Sequence, residues 1–263
     1  MFRGTWLEER RRAVDGLVYT RSDFEDHYQE LWQQYWDVAH SIPLEAPKGL
    51  TVCTLACDGS LLDAALTEEV LPAFVEEYPQ GVPDGGLEVV EAGVSFHQSS
   101  YKEDEEMPDN SYGTGYTVVA KRLRSINAFP KLKRLLGQAM DLLSDDSAPG
   151  KEECTLDSPM LNVIVRRYSQ GHGIGFHTDK KDWFQEQVFG LVLQNTSDRS
   201  LEFMRVDTGE EAWFAVEEYP GICFCQKGEA RFQWVHGVRG IRTGTRISVT
   251  WRWFQPASLA ENV

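Results

Sequence analysis

The chain has 263 residues, of which 41% are hydrophobic, and it contains 13 Phe and 8 Trp. A chain of this length and apolar content can bury an ample core, which excludes wholesale disorder. It carries 41 acidic and 26 basic side chains, for a formal net charge of −15. Because phosphate contacts supply most non-specific affinity for nucleic acid, this balance argues against a nucleic-acid-binding protein unless a local basic patch makes the contacts.

The cysteines and the hydropathy pattern indicate where the protein resides. Five cysteines, an odd number in a chain that is not short, do not indicate a disulfide framework. Cys223 and Cys225 alternate with apolar residues and are predicted to be buried thiols, with zinc or redox work as the alternative. No apolar run approaches the ~20 residues of a membrane span, and residues 1–12 are too charged for a signal peptide. We expect an intracellular protein, cytoplasmic or nuclear, without membrane contact.

The N-terminal segment is dominated by charge and by aromatic residues. Residues 7–12 are expected to be a charged, solvated lead-in. Ser22 and Glu25 have capping-box spacing, and aromatic residues then recur at helical spacing, which predicts an amphipathic helix over about residues 23–39. The aromatic stripe of this helix is expected to dock on the main domain, and a partner-binding arm is the alternative.

The remainder of the chain alternates short strands with two helical regions. Residues 61–77 are predicted to be helical, with a kink or break at Pro72, and residues 131–143 to be an amphipathic helix. Short strands are predicted over residues 51–56, 87–96, 161–167, 188–193, 200–205, 212–216, 222–226, 231–235 and 246–254. Such spacing predicts a sandwich or barrel. The chain thus divides into a helical arm and linker (1–47), a main domain (48–256) and a tail (257–263).

A candidate metal site lies in the C-terminal half. In an extended segment, residues two apart point to the same face, so His177 and Asp179 can converge on one ion. His236 is the candidate third ligand, because two His and one carboxylate form the facial triad of non-haem Fe(II) oxygenases. For the His-x-Asp motif alone, the alternative is a loop His beside a helix-capping Asp.

The strand predicted over residues 246–254 carries two arginines on one face. Arg246, Ser248, Thr250 and Arg252 share that face. Two guanidiniums inside a barrel would be costly to bury unless an anion lies opposite them. A dicarboxylate such as 2-oxoglutarate meets this need, because Arg binds a carboxylate bidentately.

Together these motifs resemble the AlkB-like Fe(II)/2-oxoglutarate dioxygenases. The resemblance covers residues 96–254 and rests on three motifs, which are Arg-Arg-Tyr-x2-Gly-x5-His-x-Asp at 166–179, Gly-Glu-Ala-Arg at 228–231 leading to His236, and Arg-x5-Arg at 246–252. It implies a mainly β protein with flanking helices, folded as a double-stranded β-helix, or jelly roll. It also implies Fe(II) bound by His177, Asp179 and His236, with 2-oxoglutarate and O2 as cosubstrates.

The resemblance implies a cosubstrate site beside the metal. Its residues would be Arg166, Tyr168, Arg246, Ser248, Thr250 and Arg252. Arg246 would pair with the far carboxylate of 2-oxoglutarate, Arg252 would support the site, and Tyr168 would donate its hydroxyl to the same ligand. Arg166 stands where the family commonly has Asn, which alters the cosubstrate contacts.

The substrate candidates come from three places. The polar, acidic stretch 99–116 corresponds to the family's lid over the substrate base, where Tyr112 and Tyr116 would stack on a planar group; a mobile acidic loop is the alternative. The basic cluster 121–134 includes Lys131, Lys133 and Arg134 and is either a solvated helix face or a phosphate-contacting strip. Lys181 replaces an acidic residue that contacts the base in bacterial members.

Three functions are therefore open. The first is oxidation of a modified nucleic-acid base, by demethylation or hydroxylation, with single-stranded or modified nucleic acid bound at the local basic patch. The second is the same iron chemistry on a protein side chain or small molecule, which the net charge and Lys181 favour. The third is a catalytically silent interaction module whose triad binds a structural metal or none.

Overall fold

The structure is a computed structural model that describes residues 9–13, 18–56, 59–79, 92–100, 116–118, 123–143, 154–205 and 211–256. The strands within these ranges are β1 (Arg10–Arg12), β2 (Val18–Thr20), β3 (His40–Ile42), β4 (Leu50–Thr54), β5 (Gly93–Ser100), β6 (Tyr116–Val118), β7 (Leu161–Tyr168), β8 (Ile174–His177), β9 (Val188–Asn195), β10 (Glu202–Arg205), β11 (Ala212–Ala215), β12 (Ile222–Gln226), β13 (Val235–Val238) and β14 (Arg246–Trp253). The helices are α1 (Arg21–Tyr28), α2 (Trp32–Val38), α3 (Gly59–Ala64), α4 (Leu71–Glu77), α5 (Pro130–Leu143) and α6 (Glu229–Phe232).

The strands from β7 to β14 form a jelly roll. They alternate between a seven-stranded sheet, ordered β4-β12-β9-β14-β7-β5-β6, and a four-stranded sheet, ordered β11-β10-β13-β8. The chain crosses between the sheets from β7 to β10, turns at β11 within the smaller sheet, and crosses back to β14. This strand order is that of a double-stranded β-helix. The predicted fold class is therefore confirmed.

Successive side chains of the large sheet point alternately to its two faces and so contribute to two hydrophobic cores. Residues such as Tyr168, Val192, Phe203 and Phe224 pack together between the two sheets. Their neighbours on the opposite face of the large sheet pack under the helices, as residues two apart in a strand share a face. Cys223 and Cys225 belong to this second core, which confirms them as buried thiols, and burial raises the pKa of Cys225 to about 12.

The helices lie on the outer face of the large sheet. α5 buries Leu132, Leu135 and Leu136 against that face, as its sequence periodicity predicts. The helix predicted over residues 61–77 is interrupted by a π-helical turn, Ala65–Val70, between α3 and α4, and Pro72 lies in the first turn of α4. No helix in the described part of the chain has the length and apolar character needed to cross a membrane.

One predicted strand is wrong. Residues 231–235 do not form a strand; α6 occupies Glu229–Phe232, and β13 begins only at Val235. The turn opens at Gly228, whose φ of 53° suits glycine, and Ala230 N–H donates to the Lys48 carbonyl. These contacts with residues distant in sequence override the strand-like composition of this segment, and the strand that follows carries His236.

The expectation of a solvated lead-in before Arg12 is also wrong for the part that is described. Arg10–Arg12 form the central strand of a three-stranded sheet ordered β2-β1-β3. Arg10 is 3% exposed, its guanidinium lies 3.4 Å from Glu202 and 4.5 Å from the Trp213 ring centroid. A buried carboxylate on β10 needs a cation, and charge content alone does not show whether an arginine meets such a partner.

The predicted N-terminal helix forms as two helices, α1 and α2, separated by a 3-10 turn at Gln29–Leu31. The capping box uses Thr20 and Asp23 and not the predicted Ser22 and Glu25. The aromatic side chains of this segment pack mainly against one another, with Phe24 and Trp36 centroids 5.0 Å apart. The contact of α1 with the jelly roll is instead charged. Asp23 accepts hydrogen bonds from two arginines, Arg199 at 2.8 Å and Arg242 at 2.5 Å.

Glu202 is the anion that joins the N-terminal sheet to the jelly roll. It lies 3.4 Å from Arg10 and 3.1 Å from Arg239, which also donates to the Val18 carbonyl. Burial favours its neutral form, but attraction to Arg239 and Arg10 outweighs this and lowers the pKa of Glu202.

We expect Glu202→Ala to lower the free energy of unfolding by about 3–5 kcal/mol, because it removes the carboxylate shared by the buried Arg10 and the partly buried Arg239. Urea unfolding followed by circular dichroism measures the change. Glu25→Ala, which removes an exposed pair with Arg21, is the matched control and should cost less than about 1 kcal/mol. Equal losses in the two variants would contradict the structural role of Glu202.

Candidate active site

Three side chains with metal-ligand chemistry converge between the two sheets. β8 and β13 pair antiparallel and place His177 directly opposite His236, with ring centroids 4.6 Å apart. Asp179 follows β8, and its Oδ2 lies 3.8 Å from His236 Nε2. One ligand atom from each residue lies within 4.8 Å of the others. The structure thus brings together the three residues predicted as iron ligands.

Glycine allows this close approach of the two strands. A Cβ atom at Gly237, directly after His236, would lie 2.8 Å from the Ile174 carbonyl oxygen and 3.0 Å from the Phe176 nitrogen. Any side chain there would push β13 away from β8 and separate the two imidazoles. The glycine in the His236-Gly237 dipeptide therefore has a steric role in the site.

The protonation states of the three residues suit a divalent metal ion. His177 Nδ1 lies 2.8 Å from the Gly175 carbonyl and donates to it, so Nε2 is the nitrogen left to bind a metal. Burial and the nearby His177 lower the pKa of His236 to about 3, which keeps its imidazole neutral. Two neutral imidazoles and one carboxylate are the donor set of a facial triad, so the residues fit Fe(II).

Asp179 is held by two donors. The Arg252 guanidinium donates to Oδ1, and Gln226 Nε2 donates to Oδ2 at 3.1 Å. Burial opposes ionisation of this carboxyl group, but attraction to the Arg252 guanidinium outweighs it and lowers the pKa of Asp179. Arg252, predicted to support the cosubstrate, thus directly orients a predicted metal ligand.

Gln226 is a site residue that the sequence analysis missed. It is 1% exposed, and its Oε1 has no hydrogen-bond partner within the described ranges. Ile222 and Phe224 point between the sheets from the same strand, and Gln226 continues that face. A single polar residue on the inward face of an apolar strand is the signal that would have identified it.

Arg246 faces inward, as predicted, but its charge is already paired. Its Nε and Nη2 donate to the two oxygens of Glu218, each at 2.6 Å, and its Nη1 donates to Ser248 Oγ at 2.7 Å. The argument that two inward guanidiniums require a bound dicarboxylate is therefore wrong. Glu218 and Asp179 supply both anions, and neither pairing is visible from sequence spacing.

A cavity of about 50 Å³ adjoins the triad. Its lining includes all six residues predicted for the cosubstrate, which are Arg166, Tyr168, Arg246, Ser248, Thr250 and Arg252. The Arg246 guanidinium lies 5.7 Å from the centroid of the Tyr168 ring. In composition the lining suits a 2-oxo acid, although the Arg246–Glu218 pair occupies the end intended for the far carboxylate.

Three of the residues predicted to bind substrate, Lys131, Lys133 and Arg134, do not lie at this cavity. Lys131 pairs with Glu68 and Lys133 with Asp157, and Arg134 is exposed on the same helix, α5. That helix packs on the outer face of the large sheet, whereas the cavity lies on the inner face. The prediction of a basic strip beside the active site is therefore wrong for these three residues.

The other substrate candidates are only partly described. Tyr112 lies outside the described residues, as do Lys121 and Arg122 of the basic cluster. Tyr116 begins β6, which pairs with β5 at one edge of the large sheet. Lys181 is exposed shortly after Asp179, and its ammonium group lies 5.6 Å from the centroid of the Phe232 ring.

Sequence comparisons match parts of the chain. Residues 9–40 match the family described as "Domain of unknown function (DUF8284)". A 107-residue stretch is 30% identical to "Uncharacterized protein L905" of Acanthamoeba polyphaga mimivirus and covers 37% of this chain. The match spans 50% of the length of that relative.

Solved structures with similar folds are oxygenases. A Trichoplax adhaerens prolyl hydroxylase in complex with a hypoxia inducible factor peptide aligns with a TM-score of 0.49 at 11% identity, over 82% of this chain and 87% of that one. AviO1 from Streptomyces viridochromogenes Tue57 aligns with a TM-score of 0.42 at 14% identity, over 80% and 91%. A Pseudomonas putida prolyl-4-hydroxylase aligns with a TM-score of 0.40 at 18% identity, over 79% and 93%. Since these scores lie below 0.5, the fold assignment rests on the strand order.

Mutation of a residue that only supports a metal ligand typically weakens metal binding by about 10–100-fold. We expect His177→Ala and Asp179→Ala, which each remove a ligand, to weaken Fe(II) binding by more than this. Anaerobic calorimetric titration of the metal-free protein measures the affinity. His172→Ala is the matched control, because His172 lies on the same segment and contacts Ser169 instead of the triad. Unchanged Fe(II) affinity in the two triad variants would contradict the assignment.

Gln226→Ala should weaken Fe(II) binding by about 10–100-fold, because Asp179 loses one of the two donors that orient it. The same titration measures it, with the exposed Gln233→Ala as control. If Gln226→Ala lowers the melting temperature but leaves Fe(II) affinity intact, Gln226 has only a structural role.

Proposed function

We propose that the protein is an Fe(II)- and 2-oxoglutarate-dependent dioxygenase. The observation that supports this most directly is the convergence of His177, Asp179 and His236 beside a polar cavity inside a jelly roll. When bound, Fe(II) and 2-oxoglutarate would supply the activation of O2, coupling decarboxylation of the 2-oxo acid to oxidation of a substrate C–H bond. The AlkB-like assignment is the finer form of this proposal and rests on the order of the three sequence motifs.

The residues of the site would have separate roles in binding the metal and the 2-oxo acid. His177 and His236 would present neutral nitrogens, and Asp179 would present one anionic oxygen whose direction is set by Arg252 and Gln226. The hydroxyl groups of Tyr168, Ser248 and Thr250 line the cavity where a 2-oxo acid would lie. Because the arginines of the cavity are largely buried, little bulk water would reach the reacting centre.

For the substrate, we propose a protein side chain or small molecule in preference to a nucleic-acid base. Lys131, Lys133 and Arg124 each pair with carboxylates of the same chain, so the basic cluster is largely neutralised where it is described. The net charge of −15 opposes phosphate contacts elsewhere. The nucleic-acid hypothesis rests on the family resemblance, on the lid candidates Tyr112 and Tyr116 and on the basic cluster of residues 121–134.

The proposed chemistry predicts that the protein with Fe(II), O2 and 2-oxoglutarate forms succinate, even before the substrate is known, through slow uncoupled turnover. Coupled mass-spectrometric or enzymatic detection of succinate measures the rate. Asp179→Ala should abolish it, whereas His172→Ala should retain it. An intact, iron-loaded wild-type protein that forms no succinate would support the catalytically silent alternative.

The salt dependence of oligonucleotide binding distinguishes a nucleic-acid substrate from the other substrate classes. If nucleic acid is not the substrate, affinity for single-stranded oligonucleotides should be weak and change little between low and physiological salt. Charge reversal at Lys131, Lys133 and Arg134 should then have no effect. A steep salt dependence that these reversals remove would restore the nucleic-acid hypothesis.

A further inference from the structure

Glu218 occupies the edge of Arg246 that a carboxylate ligand would use. The pair is bidentate, with both N···O distances at 2.6 Å. The Glu218 side chain has 0% exposure and that of Arg246 has 3%. Asn195 Nδ2 also lies 3.3 Å from Glu218 Oε2, so the carboxylate is held from two sides.

The other N–H groups of Arg246 could bind a ligand carboxylate only with the Glu218 carboxylate close by. A guanidinium has five N–H donors, and Glu218 and Ser248 take three of them. A ligand carboxylate would have to displace Glu218 or share the guanidinium with it. In both cases one cation faces two anions in a buried site, where like charges repel strongly.

The neighbouring cation does not relieve this imbalance. Arg252, on the same face of β14, donates to Asp179 and thereby serves the triad. The positive charges of the two β14 arginines are thus each matched by a carboxylate of the protein. The cavity next to Arg246 offers hydrogen bonds from Ser248, Thr250 and Tyr168, but little net positive charge from β14. The third arginine of its wall, Arg166, lies on β7 and not on the strand that carries Arg246.

We propose that Glu218 is an internal competitor for Arg246 and that it determines which 2-oxo acid the cavity accepts. This inference rests on the proposed function. Glu218 disfavours a carboxylate at the far end of the cosubstrate, so 2-oxoglutarate binds more weakly than it would to an unpaired Arg246. A 2-oxo acid of similar length with an uncharged tail therefore binds with comparable affinity. Glu218 is a specificity-determining residue and takes no part in the chemistry.

The test is Glu218→Gln, which keeps the size and one acceptor oxygen but removes the competing charge. Calorimetric titration of the Fe(II)-loaded protein without O2 compares 2-oxoglutarate with 2-oxovalerate, its monocarboxylate counterpart. We expect the variant to bind 2-oxoglutarate at least about tenfold more tightly and 2-oxovalerate within about twofold of wild type. Glu217→Gln, at the adjacent exposed position, should change neither value.

Thermal unfolding gives a second readout that does not depend on turnover. Glu218→Gln leaves a buried guanidinium without its anion, so the melting temperature should fall, and 2-oxoglutarate should raise it more in the variant than in wild type. If the variant folds but binds 2-oxoglutarate no better than wild type, Glu218 serves only to orient Arg246 and the inference is overturned.

Two further outcomes keep the test decisive. A wild-type protein that prefers 2-oxoglutarate over 2-oxovalerate by more than about a hundredfold overturns the inference without any variant. If iron-loaded wild type and variant bind neither acid, the proposed function itself fails. That result differs from failure of the Glu218 inference alone, in which 2-oxoglutarate still binds.

Discussion

Buried pairs of guanidinium and carboxylate groups hold the functional half of this protein in place. Arg252 holds Asp179, Arg246 holds Glu218, and Arg10 and Arg239 hold Glu202. Such pairs contribute little net stability compared with apolar packing, but breaking one leaves an uncompensated buried charge. They therefore act mainly as geometric constraints, each of which specifies where a strand or loop must lie relative to the triad.

The same constraint connects the N-terminal segment to the site. Glu202 lies on β10, and β10 pairs with β13 so that Phe203 is opposite His236. The cations that hold Glu202 come from β1 and from Arg239, three residues after His236. The strand that carries one triad imidazole is thus flanked in its own sheet by β8 and β10, and the N-terminal sheet contacts Glu202 of β10 and Arg239, which follows β13.

Charge pairing also limits what the protein can recognise. Within the described ranges, the lysines of α5 and the arginines of β14 have carboxylate partners on the same chain. Their formal charges count toward basic motifs in the sequence, yet they offer little attraction to an external anion. This is why we propose a substrate recognised by hydrogen bonds and shape over one recognised by its phosphates.

The sequence by itself determined most strand positions, a sandwich or barrel, the buried cysteines and the candidate triad His177, Asp179 and His236, because strand periodicity and the spacing of motifs are properties of the chain alone. The jelly roll was implied by the family resemblance, and the strand order confirms it. The sequence also placed Arg246 and Arg252 on one inward face. Only the tertiary structure decided which anions those arginines meet, that Gln226 contacts Asp179, that Arg10 is buried and that α6 replaces a predicted strand. These outcomes depend on contacts between residues far apart in the sequence. A buried charge must be paired because leaving it unpaired is costly, but the local sequence pattern does not show which residue is its partner.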